Sequence, residues 1–174
     1  MAELIDILDE NGSPTGEVLE KNLAHQLHKI HRTAKVWIIN SGGELLFQLR
    51  APGKDTIPNM WDASAAGHVS AGETVQQGLT REILEELGIH ISPEQLIELY
   101  TLKNLDRYHI STSFLTRLDL PVGAYKFNTK EISALRYIPW RELAKMSEQE
   151  MLDNKIYPYP EFKDLFKYLE NNGY

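Results

Sequence analysis

One stretch near the middle of the chain constrains the fold most, because both of its ends can be identified. Apolar side chains recur there at the spacing of one helix face, at Leu79, Ile83 and Leu87. Thr74 and Gln77 have the spacing of a capping box. Gly88 is suited to end the helix in a left-handed conformation. The pattern predicts an amphipathic helix over residues 75–87 that is seated on a core by its apolar stripe.

The same helix carries three carboxylates beside that stripe. Glu82, Glu85 and Glu86 stand at positions i, i+3 and i+4, which cover an arc of about 100° on one face. Like charges at this spacing repel one another, and a divalent cation between them reverses the sign of the interaction. Carboxylate oxygens suit Mg²⁺ or Mn²⁺. Glutamates on a helix most often form a solvated face, so the surrounding sequence has to decide between the two interpretations.

The surrounding residues complete a longer pattern. Gly67 is followed by five residues, Glu73, seven residues, and then Arg-Glu-Ile-Leu-Glu-Glu-Leu-Gly-Ile over residues 81–89. Residues 67–89 thus match every specified position of the Nudix box, Gly-x5-Glu-x7-Arg-Glu-U-x-Glu-Glu-x-Gly-U, where U is aliphatic. A chance match in a chain of this length is roughly one in ten million. The chain therefore resembles the Nudix hydrolases, metal-dependent enzymes that cleave the diphosphate linkage of small organic diphosphates.

The resemblance implies an α/β (α+β) fold, with a mixed β-sheet sandwiched between α-helices. The family's metal-binding acids match Glu82, Glu85 and Glu86. Gly67 matches the glycine whose neighbourhood offers a backbone carbonyl to the metal, and Glu73 and Arg81 match a pair that braces the box. Glu82 and Glu85 are the candidate catalytic carboxylates, although an acid elsewhere activates the water in some members. The implied cofactor is Mg²⁺ (or Mn²⁺).

A second, narrower resemblance begins before the box. Its residues are Leu19-Glu20-Lys21, Ala24-His25, His31, Arg50, Lys54, Trp61 and Gly67-His68. In this pattern the chain is similar to type I isopentenyl diphosphate isomerases, which share the Nudix fold. The similarity implies a second metal site at three histidines, His25, His31 and His68. It also implies that three basic side chains bind the substrate diphosphate, namely Lys21, Arg50 and Lys54.

The chemistry of the isomerase does not carry over. Its catalytic cysteine corresponds to Ala66, and the chain contains no cysteine. Two further glutamates of its metal site align near Ser111 and Ser113. The complete acidic array of the box is the set that diphosphate hydrolysis uses. We therefore expect a hydrolase from the isomerase-like branch, with an isomerase-like enzyme and a non-catalytic nucleotide-binding module as the alternatives.

Length and charge limit the remaining possibilities. The 174 residues are expected to form a single Nudix domain over 1–174. A net charge of −7 disfavours a nucleic acid polymer as partner. The chain shows neither a secretory signal nor an apolar run long enough for a membrane span. The expected protein is cytoplasmic and binds a small-molecule diphosphate and not a membrane. The sequence leaves the oligomeric state open, although a homodimer is a frequent state in the superfamily.

The remaining patterns predict a strand-rich chain with helices near its end. Predicted strands cover 4–9, 17–19, 35–40, 44–49, 60–66, 96–103, 109–118 and 132–138. Predicted helical stretches cover 20–30, 140–147 and 161–171.

Overall fold

Strands and helices alternate irregularly along residues 2–174, which the computed structural model describes. The strands are β1 Leu4–Leu8, β2 Pro14–Glu20, β3 His31–Ile39, β4 Glu44–Arg50, β5 Trp61–Asp62, β6 Ala65–His68, β7 Ile97–Asn104, β8 His109–Arg117 and β9 Ile132–Pro139. The helices are α1 Lys21–Gln26, α2 Val75–Leu87, α3 Trp140–Leu143, α4 Glu148–Asp153 and α5 Phe162–Asn171. None of these helices is long and apolar enough to cross a membrane.

Seven of the strands form one mixed sheet. Five of them lie in the order β5-β4-β3-β8-β7, while β6 pairs with β3 and β9 pairs with β4. The β3–β8 pair is parallel, and the other pairs are antiparallel. Strands β1 and β2 form a separate antiparallel hairpin. The predicted α/β (α+β) architecture with a mixed sheet is confirmed.

Strand β3 explains why helices cover both faces of the sheet. Its buried residues alternate between two cores, with Val36 and Ile38 on one side and Trp37 and Ile39 on the other. The first core contains the α2 stripe, Leu79, Ile83 and Leu87. The second core contains α5 residues Leu165 and Leu169. A strand that is buried on both faces reads as a continuous apolar run, as this one does.

The structure corrects several predicted boundaries. Helix α1 ends at Gln26 rather than at residue 30, and β3 begins at His31 rather than at Lys35. The start of β3 is polar and lacks the apolar alternation that marks a strand, but nine residues of it pair in register with β8. The stretch 60–66 is divided between β5 and β6. Helix α4 was not predicted. The early start of β3 matters most, because it places His31 on the sheet.

Candidate functional site

Helix α2 is fixed at both ends as the sequence predicts. The Thr74 hydroxyl accepts a hydrogen bond from the Gln77 backbone N–H, and the Gln77 side chain accepts one from the Thr74 N–H, at 3.2 and 2.9 Å. Gly88 ends the helix with φ of 69°. A Cβ at Gly88 would lie 2.6 Å from the Lys126 carbonyl oxygen, so the close approach requires glycine as well. The capping box and the left-handed end therefore fix where α2, the helix with the acidic face, begins and ends.

The three acids on α2 form a gradient from buried to exposed. Glu86 is only 6% exposed. Its Oε2 accepts hydrogen bonds from the Ala66 backbone N–H at 3.1 Å and from Gln48 Nε2 at 3.3 Å. Glu82 is half-buried and accepts from Arg81 Nη1 at 2.9 Å. Glu85 is exposed and lies 3.5 Å from Arg81 Nη1. The inner end of the face is therefore built into the sheet, and the outer end meets solvent.

Burial changes the acidity of the two inner carboxyls. Burial raises the pKa of Glu86 to about 8, and the charges of Glu82, Glu131 and Asp62 add to the effect despite the Ala66 hydrogen bond. Burial also raises the pKa of Glu82 to about 7, against the lowering influence of Arg81. Concentrated negative charge with raised pKa values fits a divalent cation, which neutralises the carboxylates when it displaces their protons. The residues present thus suit Mg²⁺ or Mn²⁺.

Two glycines allow the helix to approach the loop that precedes it. A Cβ at Gly67 would lie 2.1 Å from the Glu82 Cδ atom. The Glu82 carboxylate therefore occupies the space that a side chain at position 67 would fill. A Cβ at Gly78 would lie 3.1 Å from the Val69 Cα atom. Gly78 therefore allows α2 to pack closely against the backbone at Val69.

Arg81 joins α2 to the loop before it. Its Nε and Nη2 donate to the two carboxylate oxygens of Glu73 at 3.0 and 3.1 Å. Nη2 also donates to the backbone carbonyl of His68 at 2.9 Å and to Ser70 Oγ at 3.2 Å. Burial favours a higher pKa for Glu73, but the hydrogen bonds from Arg81 and Ser70 outweigh it and lower this pKa. The Glu73–Arg81 pair thus connects the loop of the box with its helix.

Each of the three candidate substrate-binding cations has a protein partner. Lys21 pairs with Glu3, and Lys54 pairs with Glu131. The Arg50 Nη1 atom donates to Asp62 at 3.2 Å, and its other nitrogens donate to the Thr56 carbonyl and hydroxyl. Arg50 therefore holds the loop between β4 and β5 in place. The partners Asp62 and Glu131 act on the pKa of Glu86, while Glu3 acts on that of Glu82. The carboxylate partners of all three cations therefore lie close enough to Glu82 or Glu86 to act on their pKa values.

The three candidate histidines form one cluster drawn from α1, β3 and β6. Nitrogen atoms of His25, His31 and His68 all lie within 4.8 Å of one another. The Nε2 atoms of His25 and His68 are 3.1 Å apart. Burial lowers the pKa of His68 to about 3, with a further contribution from His31, and burial also lowers the pKa of His31. Burial therefore favours the neutral, metal-binding form of His31 and His68.

Two residues beside these sites are not predicted by any pattern in the sequence. His109 is the register partner of His31 on β8, and burial lowers its pKa to about 4. Glu3 acts on the pKa values of both His31 and Glu82, and its Oε1 is buried without a hydrogen-bond partner. Neither belongs to a motif. Their proximity comes from strand pairing and from the N-terminal hairpin, so no local pattern would have identified them.

Comparison with known proteins supports the family that the box indicates. The family model of the NUDIX domain matches residues 29–160. An uncharacterized Nudix hydrolase of Clostridium acetobutylicum is 36% identical over 166 residues, covering 88% of this chain and 76% of that protein. Nudix hydrolase 3 of Arabidopsis thaliana is 30% identical over 90% of this chain, but the match spans only 22% of that longer protein. An isopentenyl-diphosphate Delta-isomerase of Klebsiella pneumoniae is 40% identical over 91 residues, covering 52% of this chain and 49% of that protein.

Solved structures agree on the fold. A protein of Deinococcus radiodurans superposes with a TM-score of 0.66 and 24% identity, covering 90% of this chain and all of the other. A MutT protein of Methanosarcina mazei superposes with a TM-score of 0.62 and 19% identity, covering 81% and 94% of the two chains. These likenesses concern the fold, and the sequence matches concern descent. Together with the complete box on α2, they show that the chain belongs to the Nudix hydrolase family.

Proposed function

We propose that this chain hydrolyses the diphosphate linkage of a small organic diphosphate of the nucleoside diphosphate type, with Mg²⁺ or Mn²⁺ as cofactor. The observation that carries the proposal is the acidic face of α2. Glu82 and Glu86 are held against β6, next to Gly67, with pKa values raised to about 7 and 8. A face of this kind repels a polyanionic substrate unless cations intervene. The acidic face therefore supports metal-assisted hydrolysis of a diphosphate.

The residues of the face have separable roles. Glu86, together with Glu82, Glu85 and the backbone around Gly67, would hold the metal. A bound divalent ion neutralises phosphate oxygens and acidifies a water. Glu82 is the first candidate for deprotonating that water, because its carboxylate lies against Gly67 at the proposed metal site. Glu85 is the alternative base, and its exposure leaves it free to reach solvent-borne substrate.

The basic side chains supply the anchoring part of the proposal. Lys54 and Arg50 pair with carboxylates that influence Glu86, and Lys21 pairs with a carboxylate that influences Glu82. Phosphate groups are strong acceptors for such cations. In this proposal the substrate phosphates replace Glu3 and Glu131 as partners of the two lysines. Arg50 contributes by positioning the loop between β4 and β5 as well as by its charge.

The test is a hydrolysis screen over diphosphate compounds, with Mg²⁺ and then Mn²⁺, followed by phosphate or nucleoside monophosphate release. Glu86→Gln should lower turnover about 10³-fold or more, since the metal supplies several kcal/mol of charge stabilisation. Glu170→Gln, an exposed helical glutamate on α5, is the matched control and should keep full turnover. Undiminished metal-dependent turnover in Glu86→Gln would refute the role of Glu86. Tight nucleotide binding without turnover of any compound would indicate a binding module instead.

An isomerase activity is the second candidate, favoured by the match to the Klebsiella pneumoniae isomerase and by the histidine cluster. One observation speaks against an isomerase. Ala66 stands where the isomerases have their catalytic cysteine, and its backbone N–H donates a hydrogen bond to Glu86. The chain offers no thiol for the proton transfer. Incubation with isopentenyl diphosphate decides the point. We expect no dimethylallyl isomer, and its appearance would establish the isomerase.

A further inference from the structure

A network of buried polar side chains links the segment before α5 to strand β5. Lys35 pairs with Glu161, and each of the two residues is only 7% exposed. The Lys35 Nζ atom lies 3.8 Å from the centroid of the Tyr159 ring. The Tyr159 hydroxyl in turn donates a hydrogen bond to Asp62 Oδ1. Buried charges are tolerated when they are paired and hydrogen-bonded, so this network holds the Tyr159 ring in one position.

Asp62 is the point at which the network meets Arg50. Its Oδ1 atom accepts hydrogen bonds from the Tyr159 hydroxyl and from the Ala63 backbone N–H, the latter at 2.7 Å. Its Oδ2 atom accepts from Arg50 Nη1 at 3.2 Å, and Arg50 is the one cation paired with Asp62 within residues 2–174. Because Tyr159 and Ala63 satisfy Oδ1, Arg50 donates only a single N–H to this carboxylate.

The Arg50 guanidinium therefore keeps donors for a ligand. Its Nε donates to the Thr56 carbonyl at 2.9 Å, and its Nη2 donates to Thr56 Oγ1 at 3.1 Å. With the bond to Asp62, the described chain uses three of the five N–H groups of the guanidinium and leaves one on each terminal nitrogen. Two such N–H groups can donate together to the oxygens of a phosphate.

Arg50 also stands beside the acidic face of α2. Gln48 and Arg50 are two residues apart on β4, so their side chains leave the same face of the sheet about 7 Å apart. The Gln48 side chain donates to Glu86 at 3.3 Å. The register partner of Arg50 on β9 is Ile132, which belongs to the core beneath α2. The two remaining N–H groups are therefore on the side of the sheet where the substrate phosphates are expected.

We propose that Tyr159 is a positioning residue for the substrate diphosphate, because its bond to Asp62 leaves the Arg50 guanidinium available to phosphate. The inference rests on the proposed function in one respect, that a diphosphate binds at the α2 face. Without the Tyr159 hydroxyl, Asp62 Oδ1 has a lone pair to fill. Arg50 then turns to pair with both carboxylate oxygens, the geometry that arginine and carboxylate favour, and its terminal nitrogens are withdrawn from the substrate.

The test is calorimetric titration of the full chain, in Mg²⁺, with methylenediphosphonate, a diphosphate analogue that is not hydrolysed. Tyr159→Phe keeps the ring beside Lys35 and removes only the hydroxyl. It should weaken binding about 10-fold, the equivalent of one hydrogen bond to a charged group. In hydrolysis it should raise KM by a similar factor and leave kcat unchanged, since uniform binding is lost. Tyr168→Phe, at a half-buried α5 tyrosine, is the matched control and should bind as wild type does.

A double variant tests whether Tyr159 acts through Arg50. Lysine cannot pair with both oxygens of a carboxylate as arginine does, so Tyr159→Phe should add less than about twofold to the loss in Arg50→Lys. Losses that multiply, unchanged analogue binding by Tyr159→Phe, or a lower kcat at constant KM would each overturn the inference. Analogue binding does not require turnover. A chain that binds the analogue with the expected dependence on Tyr159 but hydrolyses no diphosphate would therefore refute the proposed hydrolysis alone.

Discussion

The carboxylate face of α2 and the histidine cluster are built on opposite sides of the same strand. Gly67 faces Glu82, while the next residue, His68, turns its imidazole toward His25 and His31. Successive residues of a strand point to opposite faces. Two consecutive residues of β6 therefore contribute to two sites of different chemistry. One presents oxygen donors from a single helix, and the other presents nitrogen donors from three elements.

The two sites also respond to pH in opposite directions. The raised pKa of Glu86 means that the native state holds its proton more tightly than the unfolded chain does. That contribution to stability is present below about pH 4.5 and is lost as the pH rises toward 8. The lowered pKa of His68 contributes stability above about pH 6.5, and this contribution is lost as the pH falls toward 3. Metal-free protein should thus be most stable between about pH 4.5 and pH 6.5.

The largest expected effect is a change in the free energy of unfolding at alkaline pH, where Glu86 ionises. Glu86→Gln removes the ionisation, so metal-free Glu86→Gln should exceed wild type in free energy of unfolding at pH 8, by on the order of 2 to 4 kcal/mol. Urea unfolding from pH 3 to pH 9 measures the difference. His68→Asn should flatten the acid side only. If Glu86→Gln and wild type lost stability in parallel between pH 5 and pH 8, another group would be responsible.

A medium effect is expected where the two sites share β6. Gly67→Ala places a methyl group 2.1 Å from the Glu82 Cδ atom, so Glu82 must move. We expect a loss of roughly 1–3 kcal/mol in unfolding free energy and a loss of Mg²⁺-dependent turnover, because Glu82 belongs to the proposed metal site. Gly123→Ala, whose Cβ meets nothing within 4 Å, is the matched control. Undiminished turnover in Gly67→Ala would show that the position of Glu82 does not matter for hydrolysis.

The smallest effect concerns the link between the sites. Arg81 donates to Glu82, to both oxygens of Glu73 and to the His68 carbonyl. Lysine keeps the charge but loses the paired geometry. Arg81→Lys should therefore cost about 1–2 kcal/mol in chemical unfolding and lower turnover, because Glu73 and Glu82 lose a paired donor. Arg117→Lys, at an exposed position on β8, is the control. Undiminished turnover with a loss of stability would show that Arg81 only braces the loop before α2.

Local signals in the sequence predicted the helix that carries the acidic face. Thr74, Gln77 and Gly88 fix where α2 begins and ends, and the helix repeat then fixes which carboxylates share a face. These interactions span only a few residues, so the chain encodes them without reference to the rest of the fold. The family resemblance added the expected metal and the Glu73–Arg81 pair.

The depth of those carboxylates was decided by the tertiary structure. Glu86 and Glu85 are neighbours in sequence, yet one is buried against Ala66 and the other is exposed. Burial depends on which part of the sheet passes over the helix, and burial in turn sets the pKa of Glu86. A helical repeat specifies the face but not what covers it.

The histidines show the same division more strongly. The sequence alone determined a capped acidic helix, the family's box and three histidines at suggestive places. Only the pairing of β3 with β6 and β8 brings His31 beside His68 and His109, and this pairing required β3 to begin four residues earlier than its apolar pattern indicates. Strand register joins residues far apart in the chain through backbone hydrogen bonds, which carry no side-chain signature. The second site was therefore decided by the tertiary structure.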